Sequence, residues 1–142
     1  MPTKTIKLED VLMYVPLFRG LSKRQLKHLA GLFRIEDYMA GAAIVHEGTA
    51  GDAFYVVISG QAKVTTKGRF VARVVPGDHF GEIAALDGGE RTATVTSETP
   101  MKLGVMSRTS LRKALHDDPE IAPELASELA RMFRRVSKDA YE

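Results

Sequence analysis

The sequence predicts an α+β fold by segregation: an antiparallel β-roll of the jelly-roll, or double-stranded β-helix, kind, flanked by N-terminal helices and two C-terminal helices. Two observations carry this. Between Phe33 and Met106, short runs rich in Val, Ile, Phe and Thr are cut at regular intervals by Gly41, Gly48, Gly51, Gly60, Gly68, Gly77, Gly88 and Gly89, the pattern of short strands joined by glycine turns. Sustained helical spacing of apolar residues occurs only outside that window, and no alternation of strand and helix repeats. A chain of 142 residues fits one domain, 1–142, with helices over 8–31, the roll over 32–106 and helices over 107–137.

Each element has its own cause. Over Leu8 to Gly31 the residues Val11, Leu12, Val15, Leu17, Leu21, Leu26 and Leu29 fall at mixed helical spacings broken by Pro16 and Gly20, which predicts two short helices. Ser22, with Gln25 three residues on, is a capping-box pair, and the helix it opens runs to about Ala30. Strand character begins at Leu32. Phe54 to Ile58 is a continuous apolar run of strand length, Ala62 to Thr65 alternates, and Ala72 to Val75 ends at the turn Pro76-Gly77-Asp78. Ser107 caps a helix reaching about His116, and Asp118 followed by Pro119 opens another toward Val136. In that last helix Leu125, Leu129, Met132 and Val136 form one apolar stripe, with Pro123 tolerated near its first turn.

Composition excludes several classes. The 44% hydrophobic and 27% charged balance is that of a soluble globular chain. No apolar run is long enough to span a membrane, and the first ten residues lack the apolar centre of a secretory signal, so a cytoplasmic location and no membrane partner are expected. The chain has no cysteine, which removes disulfides and thiol chemistry. A net charge of +2 is too small to argue for nucleic acid.

The segment Phe80 to Thr94 is the most informative. Gly81 permits a backbone conformation or close approach that a side chain would block. Glu82 to Leu86 is compatible with a helix too short to stand alone, so the roll must hold it. The free amides around Ile83 and Ala84, at the start of that helix, can face an anion. Arg91 supplies formal positive charge, and Thr92 beside it a stiff β-branched hydroxyl. Glu82 cannot bind phosphate; it needs a donor, and a ribose hydroxyl is one. Gly88 and Gly89 turn the chain into a strand over Arg91 to Thr96. A plain structural ion pair between Glu82 and Arg91 would also account for those two residues.

Phe80-Gly81-Glu82-Ile83-Ala84 with Arg91-Thr92-Ala93-Thr94 resembles the phosphate-binding cassette, 80–94, of cyclic nucleotide-binding domains. Glu47 to Asp52 with Phe54 to Gly60 resembles the family's turn-and-strand signature, Pro76-Gly77-Asp78 its next turn, and Pro16-Leu17-Phe18 the turn at its start. The likeness extends from about Leu12 to Val136. It implies a non-enzymatic sensor of cAMP or cGMP that needs no cofactor. By the resemblance, Glu82 accepts from the ribose 2′-hydroxyl, Arg91 and the Ala84 amide hold the cyclic phosphate, and Thr92 touches phosphate or base. Val64, Ala72 and Val74 would line the base pocket, although plain core would explain them equally. The final helix would act as the lid, with Met132 over the base where several relatives present an arginine. Arg131 or Arg135 could contribute if the helix rotates, and surface solvation accounts for both otherwise.

Competing classes remain distinguishable. A metal-dependent enzyme on a cupin-like roll would draw on His46, Glu47, His79 and Glu82, whose spacing matches no common ligand pattern. A partner-binding protein that has lost nucleotide binding is a further alternative. A DNA-binding regulator would need a module beyond Val136, where only Ser137 to Glu142 follow, and Arg131, Arg134, Arg135 and Lys138 read as a solvated helix face, so no nucleic-acid partner is expected. The expected partner besides the nucleotide is a separate effector protein or a second copy of the chain. Thr92 is compatible with either cAMP or cGMP.

Overall fold

The computed structural model describes residues 7–141, and side chains as far as residue 136. Two four-stranded antiparallel sheets face each other. One has the strands β1 (Arg34–Tyr38), β8 (Met101–Ser107), β3 (Ala53–Ser59) and β6 (His79–Phe80) side by side; the other has β2 (Ala43–Val45), β7 (Thr94–Ser97), β4 (Ala62–Thr66) and β5 (Arg69–Val74). Helices α1 (Leu8–Leu12) and α2 (Lys23–Ala30) precede the roll, α3 (Glu82–Asp87) interrupts it, and α4 (Arg108–Asp117) and α5 (Ile121–Tyr141) follow it. No helix among the described residues is long and apolar enough to cross a membrane.

The continuous apolar run of β3 has a direct explanation: both of its faces are buried. Phe54 and Val56 point toward α1, α2, α4 and α5 and join a core with Leu12, Val15, Leu29, Met106, Ile121 and Leu125. Ala53, Tyr55 and Val57 point into the roll and join Val45, Ala62, Val74, Phe80, Val95, Leu103 and Val105. One strand is therefore the wall between two hydrophobic compartments.

Around it the expected punctuation holds, with three adjustments. A 3-10 turn, Pro16–Phe18, stands between the two N-terminal helices, begun by the fixed φ of Pro16 and buried through Leu17 and Phe18. The Ser22 capping box forms with both bonds present: the Gln25 amide donates to Ser22 Oγ at 3.2 Å and the Ser22 amide to Gln25 Oε1 at 2.9 Å. Ser107 caps α4 by accepting from the Ser110 amide at 3.0 Å. Helix α5 begins at Ile121 rather than at Pro119, because Asp118 first closes a turn, accepting from the Glu120 amide on its side chain (3.2 Å) and from the Ile121 amide on its carbonyl (3.1 Å). The strand expected from Arg91 begins at Thr94 instead; the Arg91 backbone bonds to the 46–52 loop, its amide to the Thr49 carbonyl at 2.8 Å and its carbonyl to the Gly48 amide at 2.9 Å.

Candidate functional site

Helix α3 is six residues long and is bounded by two glycines in the left-handed region, Gly81 at φ 84° and Gly88 at φ 74°. Such a fragment has no stability of its own; Ala84 and Ala85 are buried, and the helix packs on β3 and α4. Its first internal bond runs from the Ala85 amide to the Gly81 carbonyl at 3.0 Å. The amides of Ile83 and Ala84 come before it, on the first turn, where backbone N–H groups lack a helical acceptor.

A cavity of about 240 Å³ opens at this turn. Eight of the ten predicted residues line it: Gly81, Glu82, Ile83, Ala84, Arg91, Thr92, Val64 and Val74. The other lining residues, not expected from the sequence, are Val45, His79, Phe80, Glu90, Ala93 and Val95. Val45 and Val95 pair across β2 and β7 and are both buried; the alternation Thr94-Val95-Thr96 is the signal in the sequence for an inward-facing Val95.

Two predicted residues lie elsewhere. Ala72 is paired with Val64 and so shares its inward face, but it is exposed on the edge strand β5, beside a bulge, and does not reach the cavity. Met132 is half-buried and does not line the cavity either. Helix α5 is anchored through Ile121 and Leu125, and packs on the 3-10 turn and on α4. Leu129 still packs against the helical core, and past it exposure rises, to 71% at Phe133 and 67% at Val136.

Glu82 and Arg91 face the cavity without forming an ion pair with each other. Glu82 Oε2 accepts from His79 Nδ1 at 3.3 Å, with both side chains largely buried. Burial pushes the Glu82 carboxyl up, but the His79 hydrogen bond and charge, the backbone and the Arg91 charge outweigh it, leaving the group below its ordinary value. Arg91 is 7% exposed and has, among the described residues, no carboxylate within ion-pair distance. Its guanidinium donates from Nη1 to the Gly81 carbonyl at 3.3 Å and lies 5.7 Å from the centre of the Tyr55 ring, which stacks in turn on Phe80 at 4.8 Å. The four residues of the metal alternative are not gathered: His79 contacts Glu82, whereas Glu47 accepts from the Lys67 amide at 3.1 Å and His46 is exposed.

Chemically, the cavity offers a buried cation and first-turn amides for an anion, an ionised carboxylate for a hydroxyl donor, and valine walls for an apolar ring. Known proteins point the same way. The family described as "Cyclic nucleotide-binding domain" matches residues 35–118. A CRP-like cAMP-activated global transcriptional regulator of Mycobacterium tuberculosis is 31% identical over 93% of this chain and 61% of its own length. A cAMP-dependent protein kinase regulatory subunit of Yarrowia lipolytica is 39% identical over 75% of this chain and 29% of its own. In structure, the N-terminal domain of a transcriptional regulator from Streptomyces coelicolor A3(2) superposes with a TM-score of 0.80 at 34% identity, over 92% of this chain and 94% of that one. The chain thus spans about three fifths and under a third of the two curated relatives. Because one of them is a transcriptional regulator, the expectation of no nucleic-acid partner gains no support from these likenesses. Sequence match and fold together place the chain in the cyclic nucleotide-binding domain family.

Proposed function

We propose that this chain is a non-catalytic sensor that binds a cyclic nucleotide in the cavity beside α3 and passes the signal on through α5. The observation that carries the reading is Arg91: a guanidinium 7% exposed, on a cavity wall, with no carboxylate partner among the described residues. A buried charge without a counter-ion is expensive, and an anionic ligand is what would offset it. The cyclic phosphate would take Arg91 and the amides of Ile83 and Ala84, and Glu82 would accept from the ribose 2′-hydroxyl. Thr92 would contact phosphate or base, and Val64 and Val74 would face the base. The relatives named for cAMP make it the first candidate over cGMP.

The response would be closure of the second half of α5, whose exposed Phe133 and Val136 and half-buried Met132 could cover the base by dispersion. Higher affinity for the closed arrangement is what would drive the change. The listener would be a separate effector or another copy of the chain. Thermal unfolding with cAMP, cGMP, AMP and no ligand tests the central claim. A ligand at a hundredfold its dissociation constant adds about 2.7 kcal/mol, and an unfolding midpoint that neither cyclic nucleotide moves would remove the proposal.

A further inference from the structure

We propose that Gly51, outside the cassette, is a positioning residue for the Arg91 guanidinium; the inference rests on the reading of Arg91 as the anion anchor. The 46–52 loop lies along the arginine segment over several bonds. Gly48 and Thr49 hold the Arg91 backbone, the Gly51 amide donates to the Gly89 carbonyl at 3.4 Å, the Glu47 amide donates to Thr94 Oγ1 at 3.0 Å, and Ala50 bridges Glu90. This fixes the Arg91 backbone against the loop and sends its side chain across the face of Gly51.

Two glycines of this loop serve different needs. Gly48 has φ 80° and open space where a Cβ would stand, so it is there for the backbone conformation. Gly51 shows no left-handed φ, so its backbone suits any residue, yet a Cβ there would fall on Arg91 Nε and Cζ and come within 2.7 Å of its Cδ. All three nearest atoms belong to Arg91. On the other side a Cβ on Gly81 would stand 2.6 Å from Arg91 Nη1. The guanidinium therefore runs through a slot whose walls are the bare backbones of Gly51 and Gly81 and whose floor is the Tyr55 ring. Any side chain at position 51 displaces the cation from the cavity wall without straining its own backbone.

The test is a cycle of Gly51→Ala, Arg91→Ala and the double variant, read by urea unfolding of the unliganded protein and by calorimetric titration with cAMP. Gly51→Ala is expected to destabilise the protein when Arg91 is present and to have little effect in the Arg91→Ala background, the non-additivity of residues in contact. It is also expected to weaken cAMP binding about tenfold or more, the equivalent of one charge-assisted hydrogen bond. Should Gly51→Ala alone fail to fold, recovery of folding in the double variant supports the assignment, and failure of both overturns it. Equal costs in the two backgrounds overturn it, as does unchanged affinity in Gly51→Ala. If the wild type binds no cyclic nucleotide, the functional reading fails, while the unfolding cycle still decides whether Gly51 makes room for Arg91.

Discussion

Replacing Arg91 with methionine separates what the guanidinium does for the ligand from what it does for the fold. Methionine keeps an unbranched stem of similar length and can still lie on the Tyr55 ring, where a thioether makes a favourable contact. Removed with the charge are the bond to the Gly81 carbonyl, 3.3 Å long, and a cation–π contact that for a desolvated guanidinium is worth about 2 kcal/mol. Gained is relief from burying a cation that has no carboxylate partner among the described residues. These nearly cancel, so unliganded stability is expected to stay within about 1 kcal/mol of wild type. Binding should respond very differently. Two charge-assisted bonds to a phosphate, at roughly 1.5–3 kcal/mol each, amount to a loss of about 3–6 kcal/mol, or two to four orders of magnitude in affinity. Calorimetric titration with cAMP and urea denaturation of the same preparations give both numbers. Undiminished affinity, or a stability loss above about 2 kcal/mol, would refute the reasoning.

Other expectations follow from single contacts. Ser22→Ala removes the acceptor of the α2 capping box and should cost about 1 kcal/mol in urea denaturation. Phe54→Ala empties a site that is 1% exposed and packed edge-on to Phe18 at 5.7 Å, with an expected loss of about 3–5 kcal/mol by the same assay. The Glu82 carboxyl is held below its ordinary value when folded, so its contribution is present above the unfolded value and is lost as pH falls through the folded one; Glu82→Gln should flatten the acid limb of a stability–pH profile, and an unchanged limb would contradict this. Phe133→Asp, at a position 71% exposed, should leave unliganded stability within about 0.5 kcal/mol yet speed cAMP release in stopped-flow if α5 closes over the base.

The roll and most of the cavity were legible because their causes are local. Glycine spacing marks the turns, and the Ser22–Gln25 pair and Ser107 mark helix starts by side chains that meet orphan amides within one turn. Glu82, Ile83, Ala84, Arg91 and Thr92 share one short segment, so any fold that keeps the segment together keeps them together. What does not reach the cavity depends on tertiary placement. Ala72 lies on the correct face of β5, but whether that face reaches the cavity depends on the strand's position at the sheet edge. Met132 is on the apolar stripe of α5, but the direction of that helix is set by Ile121 and Leu125 packing more than a turn earlier. The contact of Glu82 with His79 rather than Arg91 turns on which of two nearby nitrogen donors comes within bonding distance of its carboxylate, and spacing does not encode that.

The absence of a solvent face on β3 has a bearing on how this protein can change. Six consecutive residues, Ala53 to Ile58, are buried, and from Ala53 to Val57 neighbours alternate between the roll and the helical compartment. Inserting or deleting one residue ahead of this strand would exchange the two sets at once, sending Phe54 and Val56 toward the cavity and Tyr55, the floor beneath Arg91, into the helices. Such a slip has no partial form, so length variation should be absorbed in hairpin tips such as Lys67-Gly68 and excluded from the approach to β3. The strand thus indexes the cavity to the helical layer: a shift of Tyr55 along the chain cannot occur without moving Phe54, one residue away, against the residues that anchor α5.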